Sequence, residues 1–188
     1  MLLGRIWEFL LWGWVGLEVV IAIATRTRRS EGRAHDRGTQ LLIWVVIFLS
    51  FYASGWAATP GLEMPFAHHA LRVTAIVLMV LGLVVRIVAI VTLGKAFSAN
   101  VAIRSTQTLQ RSGLYSVVRH PSYLGMEIIF LAAGVWGHNW GSLAVMIVLP
   151  TLSVLYRIHM EEIALRSAFG AEYEDYARTT KRLIPGVY

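Results

Sequence analysis

The sequence predicts an all-α, polytopic membrane protein with about five transmembrane helices. Three observations support this class. Hydrophobic residues make up 56% of the chain and charged residues only 15%, whereas a soluble domain carries about 25% charged residues. The apolar residues are gathered in long runs, as in membrane-spanning helices. Most of the basic residues lie in the polar segments between those runs.

Five apolar runs are predicted to cross the membrane. The first three are long enough for a hydrocarbon core of about 30 Å. The last two are short, so we expect their helices to extend into the polar flanks, with Pro121 in the first turn of the fourth helix. The predicted spans are residues 6–24, 41–58, 71–93, 123–136 and 142–156.

The distribution of basic residues predicts the orientation of these spans. Segments 25–39, 94–122 and 157–188 carry five, four and five Lys or Arg residues, whereas segments 59–70 and 137–141 carry none. Cytoplasmic loops of membrane proteins carry an excess of Lys and Arg. We therefore predict an integral, multi-pass protein with its N-terminus outside and its C-terminus in the cytoplasm.

A single domain is expected over residues 1–188, because no Ser-, Gly- or Pro-rich linker interrupts the chain. Residues 1–93 hold three spans, and residues 94–188 hold the polar motifs described below. The net charge of +6 lies in short segments without interleaved aromatic residues, so nucleic acid is not predicted as a partner. Anionic membrane lipid is the expected partner of these basic segments. The scattered histidines and the absence of cysteine predict no metal site.

Glu18 and Arg86 are charged residues that lie inside predicted spans. Glu18 must either reach the membrane interface or face other parts of the protein. Arg86 lies about two helical turns from the cytoplasmic end of the third span. It either extends to that interface or faces a polar cavity within the membrane.

A pair of carboxylates follows the fifth span. Ile158, Leu165 and Phe169 repeat with helical spacing and are predicted to pack inward. Glu162 falls on the same face, and Glu161 lies at its margin, four residues after Arg157. Either these carboxylates pair with Arg157 or Arg182, or they are held in a pocket that receives a cation or a polar ligand. Gly170 is predicted to end this helix.

The segment RHPSYLG at 119–125 places a polar, proline-containing turn directly before an apolar run. Pro121 suits the first turn of a helix, whose unpaired N–H groups favour an anionic group. His120 is either a donor in a ligand pocket or a cap for this helix. A second short amphipathic helix, carrying Tyr173 and Tyr176, is predicted after Gly170.

These motifs together resemble the isoprenylcysteine carboxyl methyltransferase family, which are integral membrane enzymes related to phospholipid methyltransferases. The resemblance covers the C-terminal half and runs in order through the following segments: LGKAFSANV at 93–101, TLQRSGLYSVVRHPSYLG at 108–125, Glu161 and Glu162 with Leu165, FGAEYEDY at 169–176, and RLIPG at 182–186. The family usually has Trp where this chain has Phe97.

The resemblance implies that S-adenosyl-L-methionine is the cofactor and that its pocket lies at the cytoplasmic face, closed by the C-terminal helices. Carried over residue by residue, it implies two groups of contacts. The pocket is lined by Leu114, Tyr115, His120, Tyr123 and Gly125. It is closed from the tail by Glu161, Glu162, Tyr176 and Arg182.

The resemblance further implies methyl transfer to a lipophilic acceptor, with the carboxylate of a prenylcysteine-like substrate as the first expectation. A carboxylate acceptor needs a cation to orient it, and Arg157 or Arg86 would supply one, while Glu161 would hold the positive groups of the cofactor. An amine acceptor, such as a phospholipid, would need a base, for which Glu161 or His120 qualifies. A non-catalytic scaffold that keeps the fold is the other alternative.

Overall fold

The computed structural model describes residues 1–26, 33–34, 38–94, 102–103 and 108–188. Phe97 and most of the segment 93–101 therefore lie outside the described residues. Six helices follow in chain order: α1 (Leu2–Arg26), α2 (Thr39–Ala57), α3 (His68–Leu93), α4 (Pro121–Trp136), α5 (Trp140–Phe169) and α6 (Ala171–Thr179). A short 3-10 helix covers Gly113–Ser116, and the two-residue strands β1 (Arg33–Ala34) and β2 (Ala102–Ile103) pair antiparallel.

The predicted all-α membrane fold is confirmed. Four helices, α1, α2, α3 and α5, are long and apolar enough to cross a membrane, and α4 is a shorter apolar helix of 16 residues. The expected extension of the last two spans is large for α5, which continues through Pro150 to Phe169, and small for α4, which gains only two residues. At about 1.5 Å per residue, α4 is only about 24 Å long.

The core forms where α4 packs along α3 and against α5, and α2 also packs on α5. Its largest fully buried side chains within the bundle include Trp14, Met79, Phe130 and Met146. Trp7 of α1 stacks on Trp136 at the end of α4, with ring centroids 4.5 Å apart. These contacts hold α1 against the α3–α4 pair.

Two glycines allow α3 and α4 to approach closely. A Cβ atom at Gly125 would lie 2.8 Å from the carbonyl oxygen of Gly82 and 2.8 Å from the backbone nitrogen of Arg86. A Cβ atom at Gly82 would lie 2.8 Å from the carbonyl oxygen of Gly125. Small residues at such crossings let helix backbones pack in van der Waals contact within membranes. Gly125 therefore lies in the helix contact that positions the start of α4.

A buried ion pair joins α1, α3 and α4. The guanidinium of Arg86 donates two hydrogen bonds to the carboxylate of Glu18, of which Nη2 to Oε2 is 2.7 Å long, and Nη1 donates to the Ser122 hydroxyl at 2.8 Å. The Trp14 indole N–H also donates to Glu18, at 3.2 Å. Glu18 thus faces protein, which is one of the two predicted possibilities. Arg86 was expected to extend to the interface or to face a polar cavity. Instead it is buried, and its charge is neutralised by Glu18 inside the bundle.

Candidate active site

The turn before α4 is held to the C-terminal tail by backbone hydrogen bonds. The N–H of Arg119 donates to the carbonyl of Lys181 at 2.8 Å, and the N–H of His120 donates to the carbonyl of Arg182 at 3.0 Å. Val118 and Lys181 form a parallel bridge beside them. Pro121 occupies the first turn of α4, as predicted. Backbone hydrogen bonds alone therefore connect two segments that are about 60 residues apart in sequence.

Glu162 is the centre of a buried network of charges. Its carboxylate lies 3.1 Å from the guanidinium of Arg119 and 3.1 Å from that of Arg182. Arg119 also donates to the carbonyl of Ala177 at 3.0 Å and to that of Thr180. Only 3% of Glu162 is exposed, so the predicted inward face is confirmed. This carboxylate pairs with Arg182, as one of the two interpretations proposed, and it ties the tail to α5.

Glu161 belongs to a second, more accessible network. The hydroxyl of Tyr123 donates to Oε2 of Glu161 at 3.0 Å and accepts from Nε of Arg157 at 3.1 Å. Arg157 also donates to the hydroxyl of Thr39, at the start of α2, at 2.6 Å. The Glu161 side chain keeps 33% of its surface exposed. Tyr123 therefore links a buried cation to a carboxylate that remains open to a ligand.

His120 lies between the two carboxylates. Its Nδ1 is 3.8 Å from Glu161 and its Nε2 is 3.6 Å from Glu162, and only 4% of the residue is exposed. Although His120 occupies the N-cap position of α4, its side chain makes no capping hydrogen bond. Nε2 is buried and has no hydrogen-bond partner among the described residues. The capping interpretation is therefore wrong, and the ring points at the carboxylate pair.

The two tyrosines of α6 pack the tail onto the segment before α4. The Tyr176 hydroxyl donates to the carbonyl of Tyr115 at 2.6 Å, and the Tyr115 hydroxyl donates to the carbonyl of Ala89 at 3.3 Å. Burial raises the pKa of Tyr176 to about 12, although nearby arginines and a hydrogen bond with Thr180 act to lower it. Tyr173 is fully buried beside it. Both tyrosines are thus structural anchors of α6, which begins after Gly170 as predicted.

The predicted site residues fall into three groups. The structure brings eight of them into the networks around the turn and tail: Tyr115, His120, Tyr123, Arg157, Glu161, Glu162, Tyr176 and Arg182. Leu114 lies in the 3-10 helix before Tyr115 and is half-buried. Gly125 and Arg86 lie in the α3–α4 contact, and the geometry favours a structural role for both.

Sequence reasoning missed Arg119 and Thr39, which complete these networks, and it missed the pairing of Glu18 with Arg86. Arg119 stands next to His120 in the turn, so its position in the motif was the available signal. Thr39 contacts Arg157 from 118 positions away, and Glu18 contacts Arg86 from 68 positions away. No local pattern connects residues so far apart. Within the described residues, no three His, Asp or Glu side chains form a group that could hold a metal ion.

A bundle of apolar helices with a polar, carboxylate-bearing cluster at one end defines an integral, multi-pass membrane protein. The sequence profile of the isoprenylcysteine carboxyl methyltransferase (ICMT) family matches residues 75–167. A probable protein-S-isoprenylcysteine O-methyltransferase of Oryza sativa subsp. indica is 32% identical over 90% of this chain and 89% of its own length. The chain therefore belongs to the isoprenylcysteine carboxyl methyltransferase family, a family of membrane methyltransferases.

With other relatives, the match spans a smaller share of the relative's length. Protein-S-isoprenylcysteine O-methyltransferase B of Arabidopsis thaliana is 31% identical over 68% of this chain and 64% of that protein. Methanethiol S-methyltransferase 2 of Bradyrhizobium diazoefficiens is 36% identical over 48% of this chain and 35% of that protein. The solved structure of the eukaryotic intramembrane Ras methyltransferase ICMT has a TM-score of 0.60 and 27% identity. It matches 79% of this chain, which spans only 51% of that structure.

Proposed function

We propose that this protein transfers a methyl group from S-adenosyl-L-methionine to the carboxylate of a prenylcysteine-like, lipophilic acceptor. The observation that carries the proposal is the contact of Tyr123, in the RHPSYLG turn, with Glu161 of α5. This contact joins two of the segments that carry the family resemblance, which supports the proposal. The names of the relatives supply the reaction type and the acceptor class.

The side chains at this site fit the proposed cofactor. S-adenosyl-L-methionine supplies an activated methyl group on a sulfonium and carries an ammonium and a carboxylate. Glu161 is partly exposed and keeps one carboxylate oxygen without a described hydrogen bond, so it suits the positive groups of the cofactor. The His120 ring lies between the two carboxylates, with Nδ1 towards Glu161, and its buried Nε2, 3.6 Å from Glu162, makes no hydrogen bond among the described residues. Glu162 is already balanced by Arg119 and Arg182 and would act by fixing the tail.

Arg157 is the cation that we assign to the acceptor carboxylate. It lies on α5 one helical turn before Glu161 and reaches the hydroxyls of Tyr123 and Thr39. A carboxylate needs no general base to attack a methyl group, only orientation close to the donor in a site that excludes water. We assign no acceptor contact to Arg86, because Glu18 and Ser122 already occupy its guanidinium.

The position of the site supports separate entry routes for the two substrates. The polar networks lie where the apolar part of α5 gives way to its charged end, and the outer faces of α2 and α5 expose apolar side chains such as Phe48, Leu49, Leu152 and Tyr156. We propose that the lipophilic acceptor enters from the bilayer and that the cofactor enters from the cytoplasm. This assignment follows the distribution of basic segments.

Product analysis tests the acceptor class. The purified protein would be incubated with S-adenosyl-L-methionine that carries a tritiated methyl group, in three separate reactions. Each reaction contains one candidate acceptor: a farnesylated cysteine analogue, a phosphatidylethanolamine or a short-chain thiol. We expect label in the prenylcysteine product that is released as volatile methanol by mild base, as from a methyl ester. Base-stable label in the phospholipid or the thiol would contradict carboxyl methylation. The thiol is included because one relative is named as an S-methyltransferase.

A further inference from the structure

Residues of the turn and of the C-terminal tail line a cavity of about 310 Å³. Four of its lining residues are cationic: Arg119, Arg178, Lys181 and Arg182. Among the residues that the structure describes, no aspartate or glutamate side chain lines it. The cavity is open to the surface, so a ligand could enter it without a change in the fold.

The charges around this cavity are only partly balanced. Glu162 pairs with Arg119 and Arg182 from the far side. Asp175 pairs with Arg178 at 3.2 Å, but this pair is mostly exposed and therefore weak. Lys181 makes no ion pair within the parts of the chain that the structure describes, and it is exposed. The four cations that line the cavity therefore outnumber the two carboxylate side chains that pair with them, and the cavity keeps an excess of positive charge.

Apolar side chains adjoin this positive cavity. Val187 lines it and is 72% exposed, and Ile184, in the same turn, is 47% exposed. Hydrogen bonds from the N–H groups of Leu183 and Ile184 to the carbonyl of Tyr188 close this turn at 2.7 and 2.8 Å. A soluble anion gains nothing from exposed valine and isoleucine side chains, whereas a lipid with an acyl chain can cover them.

We propose that this cavity binds the phosphate group of an anionic phospholipid and so fixes the C-terminal tail at the membrane surface. Guanidinium and ammonium groups are the usual partners of phosphate. Because the tail also holds the turn through the carbonyls of Lys181 and Arg182, a bound lipid would steady the frame of the site without contacting the reacting groups.

The test measures lipid retention rather than activity. The full chain in detergent is mixed with equal amounts of phosphatidylglycerol and phosphatidylcholine, and bound lipids are counted by native mass spectrometry. We expect wild-type protein to retain phosphatidylglycerol preferentially. In Lys181→Gln, the ratio of retained phosphatidylglycerol to phosphatidylcholine should be about fivefold lower. Arg178→Gln with Lys181→Gln should lose more. Both side chains are exposed, so thermal unfolding should show that these variants remain folded.

Arg111→Gln is the matched control. This substitution also removes one positive charge, and Arg111 lies on the same predicted cytoplasmic side. Arg111, however, pairs with Glu172 and does not line the cavity. Equal retention of the two lipids by wild-type protein, or equal losses in Lys181→Gln and Arg111→Gln, would overturn the proposal. Glycerol 1-phosphate serves as competitor. If it displaces the lipid at comparable concentration, the cavity recognises phosphate alone and the lipid assignment is wrong.

Discussion

The hydroxyl of Tyr123 donates a hydrogen bond to the carboxylate of Glu161 at 3.0 Å, although the two residues are 38 positions apart. The first belongs to the turn at the start of α4, and the second to the charged end of α5. Their contact joins two polar segments that flank a pair of apolar helices. It places both at the same end of the bundle, as the proposed function requires.

Glu161 is the residue whose replacement should harm the reaction most directly. Glu161→Gln keeps the shape of the side chain but removes its charge, so it should lower kcat/KM about 100-fold, as expected for the loss of contacts to a charged group. Glu174→Gln, at an exposed carboxylate paired with Arg166 at 3.4 Å, is the control and should retain activity. Methyl transfer is measured on monodisperse protein. Normal turnover in Glu161→Gln would remove this carboxylate from the site.

The ion pair between Glu18 and Arg86 should be a major determinant of stability. Glu18→Leu leaves the Arg86 guanidinium buried without its carboxylate, which typically costs about 3–5 kcal/mol. For a domain of this size, we expect the unfolding midpoint to fall by about 10 °C. The double variant Glu18→Leu with Arg86→Leu should recover most of this loss, because no uncompensated charge remains. A double variant as unstable as Glu18→Leu would contradict this account.

Alkaline pH should release α6 from the segment before α4. Tyr176 is neutral in the folded protein, and its pKa of about 12 lies above the ordinary tyrosine value of 10.0. The unfolded state therefore loses its proton first as the pH rises. The stabilisation is complete below pH 10 and declines between about pH 10 and pH 12. The difference in tyrosinate absorbance between wild-type protein and Tyr176→Phe should titrate near pH 12, and a transition near pH 10 would disprove the burial effect.

Cysteine labelling can test the proposed orientation, since the chain contains no native cysteine. Leu62→Cys lies in the exposed loop between α2 and α3, and Ser167→Cys lies on the exposed surface of the last turns of α5. A membrane-impermeant maleimide should label position 62 in intact cells and position 167 only after lysis. The reverse pattern would place the site on the outer side of the membrane.

The sequence was sufficient to locate the helices because apolar runs and helical periodicity are local properties. The positions of Pro121 at the start of α4 and of Gly170 after α5 were predicted for the same reason, and the structure confirms both. The inward face of Glu162 followed from its spacing to Ile158 and Leu165. The fifth span was predicted to end at residue 156 because hydropathy falls at Arg157, whereas α5 continues as one helix to Phe169.

The partners of individual charges could not be predicted in the same way. Arg86 was expected to reach the interface or a cavity, but a carboxylate on α1 neutralises it. The expected contact between Arg157 and Glu161 is made through Tyr123, whose hydroxyl lies between them. Both outcomes depend on how distant helices pack, and close packing at Gly82 and Gly125 sets part of that geometry. A single sequence carries no local signal for such pairings.

Binding of S-adenosyl-L-methionine measured by calorimetry in detergent tests the central claim most directly. The wild-type protein should show saturable binding at one site. His120→Ala should weaken that binding about tenfold while its unfolding midpoint stays close to wild type, because His120 makes no capping bond to α4. Folded wild-type protein that shows no saturable binding would contradict the account and favour a scaffold that only retains the fold.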